Sequence, residues 1–199
     1  MSGNFQKLAL TDSVRRAREH YHGHSTDADG AAPEPDVLSE EEIAFIRSRN
    51  SFYLATVNEG GWPYIQHRGG RTGFLHVLDS RTLAFADYRG NRQLLSTGNL
   101  DANNRVALFL MDYPRRERLK ILGRARIEDA RQHPQLVEQL AEPDVRRIVE
   151  RLFFIDVAAF DWNCSQHITP RYTADDVEEL VAPLKRRIIE LEAELKHES

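Results

Sequence analysis

The chain has 199 residues, with 27 Lys and Arg against 31 Asp and Glu, a formal net charge of −4 and one cysteine, Cys164. This length fits one domain of ordinary size with terminal extensions, and the charge excludes a general nucleic-acid binder, which needs a basic face for phosphates. One cysteine excludes an internal disulfide and any multi-cysteine metal site. No apolar run approaches the ~20 residues of a membrane span, and the start MSGNFQKLAL lacks the regions of a signal peptide, so the expectation is a cytoplasmic protein with neither membrane nor nucleic-acid partners.

In chain order, DSVRRAREHY (12–21) predicts a short helix capped by Asp12 or Ser13, and the polar, Gly/Pro-rich stretch after it (22–36) predicts a loose arm. His20, His22 and His24 lie close together, but no Cys or further His completes a metal shell, so no metal site is expected. The body is expected to start at Ser39, where Ser39 and Glu42 form a capping box and Ile43 and Ile46 give a one-sided apolar stripe. The period then changes to that of strands. FYLATV (52–57) and WPYIQHR (62–68) read as a hairpin, FLHVLD (74–79) and TLAFAD (82–87) as a second pair, and VALFLMD (106–112) and RLKILGRARIED (118–129) as a third. A helix from 91 to about 100 interrupts them, 132–151 read as helical with a break at Pro143, and FFIDVAAF (153–160) returns as a strand. Short strands without βαβ spacing predict an α+β fold with flanking helices, in which the three pairs make a six-stranded antiparallel sheet closed as a barrel and 153–160 follows as a last strand. From Thr173 a long helix carries Val177, Val181, Leu184, Ile188, Leu191 and Leu195 at alternating spacings of four and three, a stripe that suits its own domain or a dimer partner equally. The divisions expected are an N-terminal helix and arm over 1–38, a barrel domain over 39–172 and a C-terminal helix over 173–199.

The stretch ADYRGNRQ (86–93) suits an anion, because a helix opening at Asn91, Arg92 and Gln93 points free N–H groups outward and Arg92 adds a two-pronged contact. On their own, these eight residues favour an ordinary junction with a solvated arginine. Likewise Gln66 to Arg68, alternating with Ile65, read alone as the wet face of a hairpin. No Ser/His/Asp triad order, Cys/His dyad or phosphate-binding Walker loop supports a hydrolase.

Five stretches together, FYLATV, GWPYIQHRGG, FADYRGNRQ, NRVALFLMDYP with RLKILGRARI, and DWNCSQHITPRY, resemble the FMN-binding split barrels related to pyridoxamine 5′-phosphate oxidase, above all a bacterial branch of that family. The resemblance spans about residues 45–172. It implies an FMN-dependent oxidoreductase with a small-molecule redox substrate, and a homodimer with one flavin in each of two clefts between the subunits. Gly90 would permit close backbone approach, with Asn91, Arg92 and Gln93 holding the FMN phosphate. Gln66, His67 and Arg68 would face the flavin ring, and Ala86 and Asp87 the ribityl chain. The oxidase carries a lysine where this chain has Gln93, so Arg68 or Arg71 would supply the missing charge. Trp162, Gln166, His167 and Arg171 resemble the oxidase's final strand and loop, of which the tryptophan and arginine reach the flavin bound mainly by the other subunit. The oxidase's substrate-gripping signature is not reproduced in this tail, so strict oxidation of pyridoxamine phosphate is not expected, and no catalytic residue is assigned. Two other readings stay open: a non-catalytic flavin or haem carrier or sensor, with His67, His76 or His167 as iron ligand, and a purely structural dimer. A deazaflavin in place of FMN also stays open.

Overall fold

A computed structural model describes residues 3–23, 34–162 and 166–198. The expectations resting on His24, on Cys164 and on most of the arm lie outside those residues. Among the described residues the α-helices are, in chain order, α1 (Gly3–Ala9), α2 (Asp12–His22), α3 (Glu40–Arg47), α4 (Leu95–Ala102), α5 (Pro134–Leu140) and α6 (Ala174–Glu198). Among the described residues seven strands form one sheet, β1 (Ser51–Val57), β2 (Pro63–Gly69), β3 (His76–Val77), β4 (Thr82–Tyr88), β5 (Arg105–Asp112), β6 (Glu117–Asp129) and β7 (Val149–Trp162), in the order β2-β1-β5-β6-β7-β4-β3. The antiparallel sheet with flanking helices is as expected, with seven strands rather than six. Two compact units divide the chain, one over 1–111 and 118–164, the other over 112–117 and 165–199.

In the first unit the sheet wraps one apolar cluster. Phe52 and Leu54 of β1, Phe85 of β4, Leu108 and Leu110 of β5, Ile121 of β6, and Phe153 and Ile155 of β7 lie within it, and Val77 of β3 packs against it. Burying each such side chain contributes roughly 1.5–3 kcal/mol, so this cluster is what rolls the sheet. Strand β2 contributes nothing to it and alternates exposed and half-buried residues from end to end. At Gly123 the β6–β7 register slips by one residue, and a Cβ there would meet the Asp156 carbonyl oxygen at 2.7 Å, so only glycine allows the long β7 to bend at that point.

Helix α3 has the predicted capping box between Ser39 and Glu42. Three expectations change. The N-terminal segment carries an additional helix, α1, and it is tied down: the Asn4 side chain donates to Glu34 O (3.0 Å) and Asp36 Oδ1 (2.6 Å), while Asp36 bonds the backbone of Ala158 and Phe160 on β7. Helix α2 is capped by Thr11. The helix expected over 132–151 is instead α5 followed by a short 3-10 turn at Arg146–Ile148, and β7 begins at Val149, because Asp87↔Arg151 and Glu128↔Leu152 pair there as strand.

The second unit contains α6, started by a reciprocal cap in which Thr173 N donates to Asp176 Oδ2 (2.8 Å) and Asp176 N to Thr173 Oγ1 (3.1 Å). Val177, Leu184, Ile188, Leu191 and Leu195 of its stripe are exposed. Among the described residues no helix is long and apolar enough to cross a membrane, and no group of three His, Cys, Asp or Glu gathers as a metal shell.

Candidate cofactor site

Strand alternation decides what β2 and β4 present. On β4, Phe85 and Asp87 face the main core while Ala84 and Ala86 face a smaller one with Leu140, Leu152 and Phe154. Phe85 stacks on Phe153 with ring centroids 4.8 Å apart, and the Arg68 guanidinium from β2 lies over both rings, 5.6 Å and 5.2 Å from their centroids. Arg68 also pairs with Asp87 Oδ1, and the second carboxylate oxygen accepts from Arg151 Nε at 2.8 Å. Asp87 and Arg151 are direct cross-strand partners, so sheet register places that pair. Arg68 Nε is buried and has no hydrogen-bond partner among the described residues. A donor in that state is costly without an acceptor.

Around this cluster runs a cleft of about 50 Å³, lined by Tyr64, Gln66, Arg68, Asp87, Arg92 and Arg151 together with the first turn of α4. Gln66 Oε1 accepts from Ser96 Oγ at 2.8 Å, and Asn99 Nδ2 donates to Thr56 Oγ1 at 2.9 Å, so two polar ties hold α4 against β1 and β2. The helix itself starts at Leu95, not Asn91. Asn91 Oδ1 accepts from the Gln93 N–H at 3.1 Å, and Arg92 (φ 59°) and Leu94 (φ 54°) are left-handed, which no helix interior tolerates. Leu94 makes no side-chain cap. The anion-receptive N–H groups are therefore those of Leu95, Ser96 and Thr97, while the Gln93 N–H is taken by its neighbour. The turn does not require Gly90, since the positive φ angles fall on Arg92 and Leu94, and a Cβ at Gly90 would meet no atom within 4 Å.

Gln66, Arg68, Asp87, Asn91, Arg92 and Gln93 thus come together in one cleft. His67, Ala86 and Arg71 do not. His67 points to the other face of β2, edge-on to Tyr53 at 5.6 Å, and Ala86 is buried in the smaller core. Arg71 bonds Asp144 (2.9 Å) and lies 3.5 Å from Glu142, on a separate cavity of about 260 Å³ that also includes His76 and Tyr88. Burial holds the His76 pKa below its ordinary value, against a backbone bond to Leu140 and the charge of Glu142. Burial, and then Asp144 and Glu142, raise the Tyr88 hydroxyl's.

The family model for pyridoxamine 5′-phosphate oxidase matches residues 38–162. The chain belongs to the pyridoxamine 5′-phosphate oxidase family. No curated protein matches it. Among solved structures, a putative pyridoxamine 5′-phosphate oxidase from Lactobacillus delbrueckii is similar over 63% of this chain and 93% of its own, with 21% identity and a TM-score of 0.50. HupZ of Group A Streptococcus is similar over 68% of this chain and 99% of its own, with 14% identity and a TM-score of 0.50. These two likenesses establish the shared fold.

The matched region ends at Trp162. Its indole N–H donates to Glu42 Oε1 at 2.6 Å and its ring meets Phe45 edge-on at 4.7 Å. Burial alone raises the Glu42 pKa, but the Ser39 hydroxyl, the indole and the Ser39 backbone N–H together hold it below the ordinary value. Gln166, His167 and Arg171 belong to the second unit, where Arg171 lies over the Tyr113 ring at 5.1 Å. Sequence reasoning missed Arg151, Ser96 and Thr97 as parts of the cleft. Ser96 and Thr97 were legible as polar residues one turn past Gln93, whereas Arg151 becomes a neighbour of Asp87 only through pairing across 64 residues.

Proposed function

We propose that this chain is an FMN-dependent oxidoreductase acting on a small-molecule redox substrate, and that it works as a homodimer with one flavin in each of two clefts between the subunits. The observation that carries this reading is the cleft's donor set. It has a buried, unpartnered Arg68 Nε, three arginines against the single carboxylate of Asp87, and an uncapped helix start at Leu95. Such a set fits a phosphate and an electron-rich heterocycle. Arg92 and the N–H groups of Leu95 to Thr97 would hold the phosphate. Gln66 and Arg68 would face the ring, and Arg68, fixed over two phenyl rings, would offer it a fixed positive charge.

Size supports the shared site. A cleft of about 50 Å³ accommodates a phosphate-sized group, while a ligand with a large ring system occupies pockets of roughly 300 Å³ or more. A second surface would complete it. The outer face of β1, β2 and β5 offers a place for a second copy: Tyr53, which pairs with His67 and Phe109, is exposed, as are Ile65 (66%) and the adjoining Trp62 (75%). Trp162, Gln166 and Arg171 would come from the partner subunit. FMN, when bound, would supply the redox chemistry between the substrate and an electron acceptor.

Titration of the purified protein with FMN tests the reading. Stoichiometric binding with absorbance maxima near ~450 and ~370 nm is expected. A Soret band after haem addition, without flavin binding, would favour a haem carrier instead. A protein that ignores both would be the structural dimer.

A further inference from the structure

We infer that Arg151 is the second cation of the phosphate subsite and that Asp87 is a positioning residue that aims Arg151 and Arg68 into the cleft. The inference rests on the FMN reading and deepens it. By its likeness to the oxidase, the chain has Gln93 where a lysine stands, so the subsite has lost one cation next to Arg92. Of the two replacements expected from the sequence, Arg71 lies outside the cleft, and Arg68, which lines it, is the cation assigned above to the ring. Arg71 faces the other cavity, bound to Asp144 and close to Glu142. Arg68 is committed to Asp87 and to the faces of Phe85 and Phe153.

Arg151 does line the cleft, alongside Arg92 and Gln93. Its Nε donates to Asp87 Oδ2 at 2.8 Å and its Nη1 to Glu150 Oε2 at 3.1 Å, which leaves the Nη2 group without a protein partner among the described residues. Its side chain is 17% exposed. A guanidinium held by two bonds has already lost the rotamer freedom that a mobile side chain would lose on binding. With both carboxylate oxygens of Asp87 occupied by arginines, Asp87 is a poor acceptor for a ribityl hydroxyl and a good anchor for two cations. Counting Glu150 with Asp87, the three arginines Arg68, Arg92 and Arg151 still leave a net positive charge at the cleft, which favours an anion there.

Riboflavin has the ring and ribityl chain of FMN without the phosphate, so it isolates the claim. Affinities for FMN and riboflavin are measured for wild type, Arg151→Gln, Arg151→Lys and Arg71→Gln. The expected result is that Arg151→Gln weakens FMN about tenfold or more while riboflavin changes less than about twofold. Arg151→Lys keeps a charge near Asp87 and is expected to lose less, and it serves where the Gln variant does not fold. Arg71→Gln is expected to leave the FMN-to-riboflavin preference unchanged. Equal loss of both ligands in the Arg151 variants, or no loss of either, overturns the inference while the FMN reading stands. Failure of wild type to bind either flavin overturns the FMN reading. Inorganic pyrophosphate then becomes the probe: a rise in melting temperature in wild type that is absent in Arg151→Gln retains Arg151 as an anion ligand, and no rise in wild type overturns it.

Discussion

Two arginine–carboxylate clusters lie in the same unit with nearly the same chemistry and opposite surroundings. In Arg68–Asp87–Arg151 the side chains are 13%, 6% and 17% exposed. In Arg71–Glu142–Asp144 they are 67%, 54% and 59% exposed. The first is built by sheet register and packed on phenyl rings; the second joins two surface loops. Burial makes the first rigid and expensive to break, because removing one partner strands charges away from water. Water and salt do most of the work in the second. The difference teaches where a ligand site belongs: fixed charges stand in the first cluster, and the second is a solvent-exposed surface contact.

The sharpest way to break this comparison is Asp87→Ala, which leaves two largely buried arginines without their counter-charge. A loss of about 3–5 kcal/mol is expected in urea unfolding; a loss near that of a surface pair would erase the distinction. Next comes Arg92→Ala, at an exposed rim position, which is expected to weaken FMN about ten- to a hundredfold in a titration while leaving unfolding unchanged, since a charge-assisted contact to phosphate contributes about 1.5–3 kcal/mol. Unchanged FMN affinity would remove Arg92 from the site.

Glu42→Gln removes the anionic acceptor of the Trp162 indole and the Ser39 cap, with an expected cost of about 1–3 kcal/mol. Its pH dependence has a definite sign. The Glu42 pKa is lowered on folding, so its contribution is present above the unfolded value of about 4.3 and is lost as pH falls through the lower folded value. Wild type and variant should therefore converge in unfolding experiments on the acid side of that window; a gap that widens there would contradict the assignment. The smallest effect belongs to Asp144→Asn in the exposed cluster, about 0–1 kcal/mol and shrinking with added salt. A larger, salt-insensitive loss would make the surface contact structural after all.

What was legible in the sequence was local or periodic. The Ser39–Glu42 box, the alternation of FYLATV against PYIQHR, and the apolar stripe of α6 each follow from neighbours within a few residues. The errors lie where distant parts decide. NRQ suits a helix start at Asn91, but the Asn91 side chain closes a turn on Gln93 and defers helix α4 to Leu95. Residues 149–151 looked like the end of a helix, and only pairing with β4 and β6 makes them strand. Arg71 and Arg68 looked interchangeable three residues apart. One faces the phenyl stack and the other a loop across a different cavity, a choice made by the end of β2 at Gly69. Helix α1 is not legible in the sequence because FQKLAL is too short to show a period, and its hold comes from Asn4 reaching Glu34 and Asp36.

The central claim, a flavin held in a site built from two chains, is tested most directly by sedimentation velocity of the protein with one equivalent of FMN, followed at about 450 nm, where only flavin absorbs. The account predicts flavin absorbance moving with a species of twice the 22.9 kDa chain mass, and its loss from that boundary in Arg92→Ala. Flavin moving with the monomer, or remaining at the meniscus in the wild type, would contradict it.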